Sequence, residues 1–480
     1  MLGSDDTIAA IATPPGQGGV GIVRLSGPQA RALGARVFVP SRRGAARDSH
    51  RLVHGLFRHP TSGVMIDQGL YCWMAGPRSY TGEDVVEFHC HGSPVVLEQV
   101  LACCLSEGAR IANRGEFTLR AFLNGRIDLA QAEAVMDLVR ARTATAAQVA
   151  AQSLTGALAR RLAPIQDAVT GALAYLEATI DFVEEDLPEQ AAPDLAETVA
   201  RARGDLEEIL RRAAHGAILR DGVRVVLAGK PNVGKSSLLN ALLRRDRAIV
   251  TDIPGTTRDT LEEAVDIHGL PIFLVDTAGL AATDDPVERL GIARSTAALR
   301  EAGIIALVMD QGAPPDALDN AAIAAIHEHA PSLPLLLVLN KCDTPNRVEA
   351  SCFADLVHLA RNQADSLDAG WAVPPLTVVE CSATTGQGIE ALEDALAALA
   401  LGGEPLNAED TLVERGRQRQ ALEETARALA IAEQGLRQAR PSELVCIDLG
   451  AALEALGTVT GRNVSEAVLD RIFRDFCIGK

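Results

Sequence analysis

The segment Gly229-Lys-Pro-Asn-Val-Gly-Lys235-Ser236 limits the architecture of this chain more than any other stretch. It fits G-x-x-x-x-G-K-[ST], directly after the apolar Val223-Arg-Val-Val-Leu-Ala and ahead of the helical Leu238-Leu239-Asn240-Ala-Leu-Leu. A strand, a glycine loop and a helix in that order turn backbone N–H groups and the positive end of the helix onto an anion. Asn232, Val233, Gly234, Lys235, Ser236 and Ser237 form the cradle. Lys235 is expected to reach the β- and γ-phosphates of a nucleotide, and the Ser236 hydroxyl to ligate Mg²⁺.

Companion motifs follow along the chain. Asp276-Thr277-Ala278-Gly279 closes the apolar strand Ile272–Val275, at the carboxyl edge where open α/β sheets bind ligands. Asp276 suits the acid that orients Mg²⁺, and Gly279 the N–H that senses the γ-phosphate. Between these motifs, Asp252-Ile253-Pro254-Gly255-Thr256-Thr257-Arg258-Asp259 offers a threonine hydroxyl as the second protein ligand of Mg²⁺. Thr257 is assigned, with Thr256 the close competitor. Asn340-Lys341-Cys342-Asp343 follows the predicted strand Leu335–Leu339. A carboxylate there accepts two hydrogen bonds from guanine, whereas adenine would leave it buried and unpaired. Ser382-Ala383-Thr384, after the strand Thr377–Val379, can present a backbone N–H to guanine O6. Four motifs in this order, each at a strand end, specify GTP.

The residue after Gly279 is Leu280, which cannot orient water as the glutamine of Ras-type enzymes does. The following loop offers Asp284, Asp285 and Glu288 instead. Arg258 reads either as a charge-stabilising group or as a surface or capping residue. Asn232 admits two readings: a turn residue, or an oxygen donor holding K⁺ beside the transferring phosphate.

At 480 residues the chain exceeds one hydrophobic core, so about two to four domains are expected. Residues 1–124 are rich in strands and turns, with Thr7–Thr13 and Val20–Leu25 joined across Pro14–Gly19. From Asp128 to Glu184 the chain is alanine-rich and helical, and helix continues to about His215. Strands and helices then alternate, and helix returns in Leu412–Ala439 and Ser442–Phe476. The expected fold is multidomain α/β plus α: an N-terminal α+β domain (1–124), a helical bundle in two parts (125–218 and 403–480), and an inserted Ras-like P-loop domain (219–402) with a mainly parallel sheet.

Nine cysteines without a C-x-x-C pair argue against a disulfide framework or zinc ribbon, and for a reducing compartment. The first residues do not read as a signal peptide, and runs such as Leu333–Leu339 are too short to span a bilayer. A cytoplasmic protein without membrane attachment is expected. The net charge of −18 opposes an extended nucleic-acid surface, so an RNA substrate would need a local basic patch or a partner.

Several segments together resemble the MnmE (TrmE) family of tRNA-modification GTPases. They are Asp6-Thr-Ile-Ala-Ala-Ile-Ala-Thr-Pro-Pro-Gly, Gly21-Ile-Val-Arg24-Leu-Ser-Gly, Ser79-Tyr-Thr-Gly-Glu83-Asp and Gly115-Glu-Phe-Thr-Leu-Arg-Ala-Phe-Leu-Asn. The phosphate loop, Gly255-Thr-Thr-Arg-Asp and the terminal Cys477-Ile-Gly-Lys480 complete the likeness, which spans nearly the whole chain. The resemblance implies an N-terminal tetrahydrofolate-binding domain that forms a homodimer, and a K⁺-dependent GTPase activated when two G domains meet. It implies a flavoprotein partner, MnmG, which alone carries FAD. Together they bring C5 of the wobble uridine (position 34) of certain tRNAs to a (carboxymethyl)aminomethyl form, with carbon from a 5,10-methylene or 5-formyl tetrahydrofolate. Asn232, Thr251, Ile253 and Thr256 match the family's K⁺ positions, and Ser236 and Thr257 its Mg²⁺ positions. Glu288 matches the residue that activates water. Arg24, Glu83, Arg126 and Lys480 match folate contacts; at Arg126 the familiar residue is lysine, which keeps the charge and changes the donor geometry. Cys477 is a candidate nucleophile, with a buried helical cysteine as its plain alternative.

Two motifs are set aside. Gly16-Gln-Gly-Gly-Val-Gly21 matches a dinucleotide fingerprint but joins two strands and opens no helix. His89-Cys90-His91 reads as a strand end rather than a metal site. The rival to a tRNA-modifying enzyme is a non-catalytic GTP switch in ribosome assembly, for which the tail and folate-type residues have no use.

Overall fold

The structure, a computed structural model, describes residues 6–42, 48–181, 192–245, 262–276, 298–345, 347–364, 376–408, 411, 413 and 415–480. It divides into two compact units. One holds the described residues of Met1–Met136, Ser153–Glu189 and Gln438–Lys480; the other holds those of Asp137–Gln152 and Gln190–Arg437.

The first unit is built on a seven-stranded sheet of order β3-β4-β5-β6-β2-β1-β7. Its strands are β1 (Ile8–Ile11), β2 (Gly18–Ser26), β3 (Phe38–Pro40), β4 (Leu52–Arg58), β5 (Met65–Met74), β6 (Val85–Gly92) and β7 (Arg110–Ile111). β1 and β2 pair antiparallel from Ile8↔Ser26 to Ile11↔Val23, the hairpin expected across Pro14–Gly19. Alternation along β2 sends Val23 and Leu25 into a core with Val86 and Phe88, beneath helices α1 (Ala30–Val37) and α2 (Pro94–Ser106). Arg24 therefore faces the other side of the sheet. Helix α3 (Glu116–Leu123) and the first part of α4 (Leu129–Arg140) share a second core with Phe473 and Phe476.

The alanine-rich stretch beyond α4 forms α5 (Ala144–Leu154) and α6 (Ala157–Asp181), followed by α7 (Ala192–Arg211) and α8 (Ala213–Asp221). In the second unit the six-stranded sheet has the order β13-β12-β11-β8-β10-β9. Its strands are β8 (Val223–Ala228), β9 (Glu262–Ile267), β10 (Leu270–Asp276), β11 (Ile304–Asp310), β12 (Leu335–Asn340) and β13 (Thr377–Glu380). All neighbours pair parallel except β9, which lies antiparallel on β10. Every residue of β12 is buried, as a parallel strand covered on both faces requires. The helices of this fold are α9 (Lys235–Arg245), α10 (Ala317–His329), α11 (Ala350–Ala364) and α12 (Ile389–Ala400). Helix α13 (Gly416–Arg437) packs along α7 in this unit, and α14 (Ser442–Thr460) packs along α6 in the first.

The helical run expected over Ser442–Phe476 is broken. Helix α14 ends at Gly461, whose φ of 91° lies in the left-handed region, and α15 (Glu466–Arg474) starts anew. Among the described residues no helix is long and apolar enough to cross a membrane.

Candidate functional site

The loop between β8 and α9 curls through positive φ at Gly229 (142°), Asn232 (64°) and Gly234 (98°). A Cβ on Gly234 would stand 2.3 Å from Asn340 Nδ2, so only glycine lets this loop approach the end of β12 so closely. Asn340 Nδ2 donates to the Val233 carbonyl at 2.8 Å, and its Oδ1 accepts the Ala383 N–H at 3.1 Å. One amide thus joins the loops that follow β8, β12 and β13. Lys341, at φ 65°, donates to the Asn232 carbonyl at 3.0 Å and to Asp310 Oδ2 at 2.6 Å.

Lys235 is 7% exposed, and its Nζ donates to the carbonyls of Gly229 (2.9 Å) and Lys230 (3.0 Å). Burial pushes its pKa down, opposed by the charge of Asp276. Ser236 Oγ donates to Asp276 Oδ2 at 2.6 Å. Two hard oxygen donors at the mouth of a phosphate loop suit Mg²⁺, which takes one or two protein oxygens together with phosphate oxygens. Ser237 and Thr384 line a cleft of about 610 Å³ with Arg244 and Arg245, between α9 and the loop after β13. Asp343 is exposed beyond β12. Ser382 N–H donates to the Gln387 carbonyl and Ala383 N–H to Asn340 Oδ1, so of the three N–H groups of Ser382–Thr384 only that of Thr384 makes no hydrogen bond among the described residues. Thr251, Asp252, Ile253, Pro254, Gly255, Thr256 and Thr257 lie outside the described residues, as do Thr277, Ala278, Gly279 and Glu288.

A second polar cluster sits in the first unit. Arg24 is far from the surface charge that its sequence position allows. Its Nε donates to Glu87 at 2.8 Å, its Nη1 donates to the Gly479 carbonyl at 3.2 Å, and it lies over Tyr80 and Phe117. Burial raises the Glu87 pKa, but bonds from His89 and Arg24 outweigh it and hold the carboxyl below its ordinary value. Glu83 Oε2 accepts Ser26 Oγ at 2.7 Å, and Arg120 Nη1 at 3.2 Å. Arg126, exposed, donates to the Ser79 carbonyl at 3.3 Å, and Ser79 Oγ donates in turn to the Glu83 carbonyl. The chain end lies against this cluster. Ile478 bridges Arg114, and Gly479, at φ 93°, passes so near β1 that a Cβ would stand 2.4 Å from the Ile11 carbonyl. Lys480 follows directly. Cys477 is exposed beyond the end of α15, not buried in a helix. His89 and His91 pair with Glu87 and Asp67 respectively.

Sequence reasoning missed Asp310, Lys230, Glu87 and Arg120 as supporting residues. Each acts through a partner distant in sequence, so no local pattern marks them.

A mainly parallel sheet with a glycine phosphate loop after β8, a serine–aspartate oxygen pair beside it and two linked base-side loops defines a P-loop hydrolase of the guanine-nucleotide class. Family models described as "GTP-binding protein TrmE N-terminus" and "MnmE helical domain" match residues 7–126 and 129–477. The tRNA modification GTPases MnmE of Chloroflexus aurantiacus and of a Synechococcus species are 45% and 46% identical to this chain, each over 99% of it and over 100% and 98% of their own lengths. The chain belongs to the tRNA modification GTPase MnmE family, and it is a GTP hydrolase. Among solved structures, the G domain of the T. maritima FeoB iron transporter is 26% identical over 37% of this chain and 98% of its own, with a TM-score of 0.26.

Proposed function

We propose that this chain is a cytoplasmic, K⁺-dependent GTPase that, as a homodimer and with a flavoprotein partner of the MnmG type, modifies C5 of the wobble uridine of certain tRNAs using a tetrahydrofolate-borne carbon. The observation that supports this reading is the Cys477–Lys480 segment held against the N-terminal sheet, where Arg24 donates to the Gly479 carbonyl and Ile478 bridges Arg114. A switch that only binds and releases GTP in ribosome assembly has no use for that arrangement. We assign 1–124 to dimerisation and folate binding, 125–218 and 403–480 to the helical domain, and 219–402 to the G domain.

In this reading Lys235 and the phosphate-loop amides grip the triphosphate, and Asp343 reads the guanine edge. The Thr384 N–H is the open donor for O6. Ser236 and Thr257 hold Mg²⁺, which neutralises phosphate charge when bound. Asn232, Thr251, Ile253 and Thr256 hold K⁺, which supplies positive charge beside the transferring phosphate. Glu288 orients the attacking water. Cys477, exposed at the folate-side cluster, is available to the carbon-transfer chemistry.

The test is the nucleoside composition of tRNA from cells lacking the chain. Loss of the (carboxymethyl)aminomethyl wobble uridines by mass spectrometry is the expected result; a full complement of them ends the proposal. Calorimetry with a tetrahydrofolate separates the rival, which predicts no binding. For the ion, GTP turnover is expected to be roughly tenfold or more faster in K⁺ than in Na⁺ at equal ionic strength, since the smaller ion fits an oxygen cage built for K⁺ poorly. Equal rates would remove K⁺ from Asn232.

A further inference from the structure

The side chain of Lys230, the second residue of the phosphate loop, finds its partners outside the motif. Its Nζ donates to Asp316 Oδ2 at 2.8 Å and to Asp319 Oδ2 at 2.7 Å, and only 13% of its side chain is exposed. Asp319 is almost completely buried. These two acids also form the N-terminal cap of α10. Asp316 Oδ1 accepts the N–H groups of Leu318 and Asp319, and Asp319 Oδ2 returns a bond to the Asp316 N–H. Burial acts against the charge on Lys230, yet its bonds to both acids prevail and raise its pKa. The main chain of the same residue faces the nucleotide side, where its carbonyl accepts Lys235 Nζ at 3.0 Å. Lys230 therefore ties the lysine of the phosphate loop to the capped start of α10, the helix that follows β11.

We infer that Lys230 is a positioning residue for phosphate binding: its clamp on the capped end of α10 holds the first turn of the loop, so that Lys235 and the loop amides stand ready for the phosphate chain.

The physical argument is preorganisation. The loop visits left-handed conformations at Gly229, Asn232 and Gly234, so it needs anchors to stay in one shape. Asn340 and Lys341 anchor its Asn232–Val233 side. Lys230 anchors the side that leaves β8. Without that anchor the loop must be ordered by the ligand, and the cost falls on the phosphates and not on the base.

The test uses the full-length chain with three ligands that share guanine and differ in phosphate: GTP, GDP and guanosine. Lys230→Met is expected to weaken GTP and GDP by roughly tenfold, the size of one lost charge-assisted anchor, and guanosine by less than about twofold. Lys230→Arg, which keeps a donor for both acids, should recover most of the loss. If Lys230→Met proves too unstable to assay, Asp316→Asn serves, because it keeps Oδ1 for the helix cap and removes one of the two oxygens that accept Lys230, leaving that of Asp319; it should show the same phosphate-dependent pattern at a smaller size. Equal weakening of all three ligands would overturn the inference, since that is the signature of a damaged fold. Unchanged GTP affinity would overturn it as well.

Discussion

Replacing Asp343 with asparagine should move the nucleotide preference of this chain from guanosine to xanthosine triphosphate. The carboxylate can only accept, which suits the N1–H and amino donors of guanine, and the amide presents a donor where xanthine carries a carbonyl at C2. GTP affinity is expected to fall roughly 10²–10³-fold, because a site made for two donors is left with a mispaired edge. The loop itself should survive the change. Asn340 holds it to Val233 and Ala383, and the Cys342 N–H donates to the Cys381 carbonyl at 3.0 Å; none of these bonds uses the Asp343 side chain. Competition binding with the two triphosphates reads the outcome. A variant that binds GTP within twofold of the parent would show that Asp343 does not read the base.

The second large effect is on stability, at Arg120→Met. Arg120, 9% exposed at its side chain, donates to the Asp6 carbonyl and carboxylate, to Glu83 and to Glu116. Glu116, 2% exposed, keeps Arg110 and the Asn113 N–H as further donors. Removing the central guanidinium leaves buried carboxylate charge short of its partner, at a cost of about 3 kcal/mol. For a unit of ~200 residues that corresponds to a fall of roughly 6–12 °C in the unfolding midpoint of the N-terminal unit. The pH dependence has a definite sign. Burial raises the pKa values of Asp6 and Glu116, but their arginine bonds outweigh it and hold both below the ordinary carboxylate value. Groups of this kind stabilise the fold above their unfolded pKa of about 4, and that contribution is lost as pH falls through the lowered folded values. The gap between parent and variant is therefore expected to be widest near neutral pH and to close on acidification. Calorimetry across that range decides it, and a gap that stays constant with pH would remove the carboxylates from the account. The same variant removes Arg120 from Glu83 and leaves it the Ser26 hydroxyl, so on the function proposed above tetrahydrofolate binding is expected to weaken with it.

Much of the G domain was legible because its signals are local. The phosphate loop is eight consecutive residues between a strand and a helix, and the motifs at Asp276, Asn340 and Ser382 each close an apolar strand. β8 lies where the apolar run placed it, and β10, β12 and β13 extend only one or two residues beyond their predicted ends. Boundaries in the helical parts were harder. Composition carries helix straight through Gly461, and only the left-handed backbone there divides α14 from α15. Family likeness singled out Arg24, Glu83, Arg126 and Lys480, but nothing local distinguishes Arg24 from an ordinary strand charge.

By itself the sequence determined the alternation of strands and helices around the phosphate loop, the curled anion-binding loop and the chemical types placed at those strand ends, because backbone preference and hydrophobic period act over a few neighbouring residues. Which distant groups complete those local pieces was decided by the tertiary structure. Arg24 meets a carbonyl 455 positions away, Arg120 meets Asp6 across 114, and Lys230 meets the cap of α10 across 86 and 89. A buried charge is not limited to partners among its sequence neighbours. Its partner is whichever opposite group the packing of the sheet and its covering helices brings within hydrogen-bond reach, where desolvation makes an unpaired charge too costly to keep.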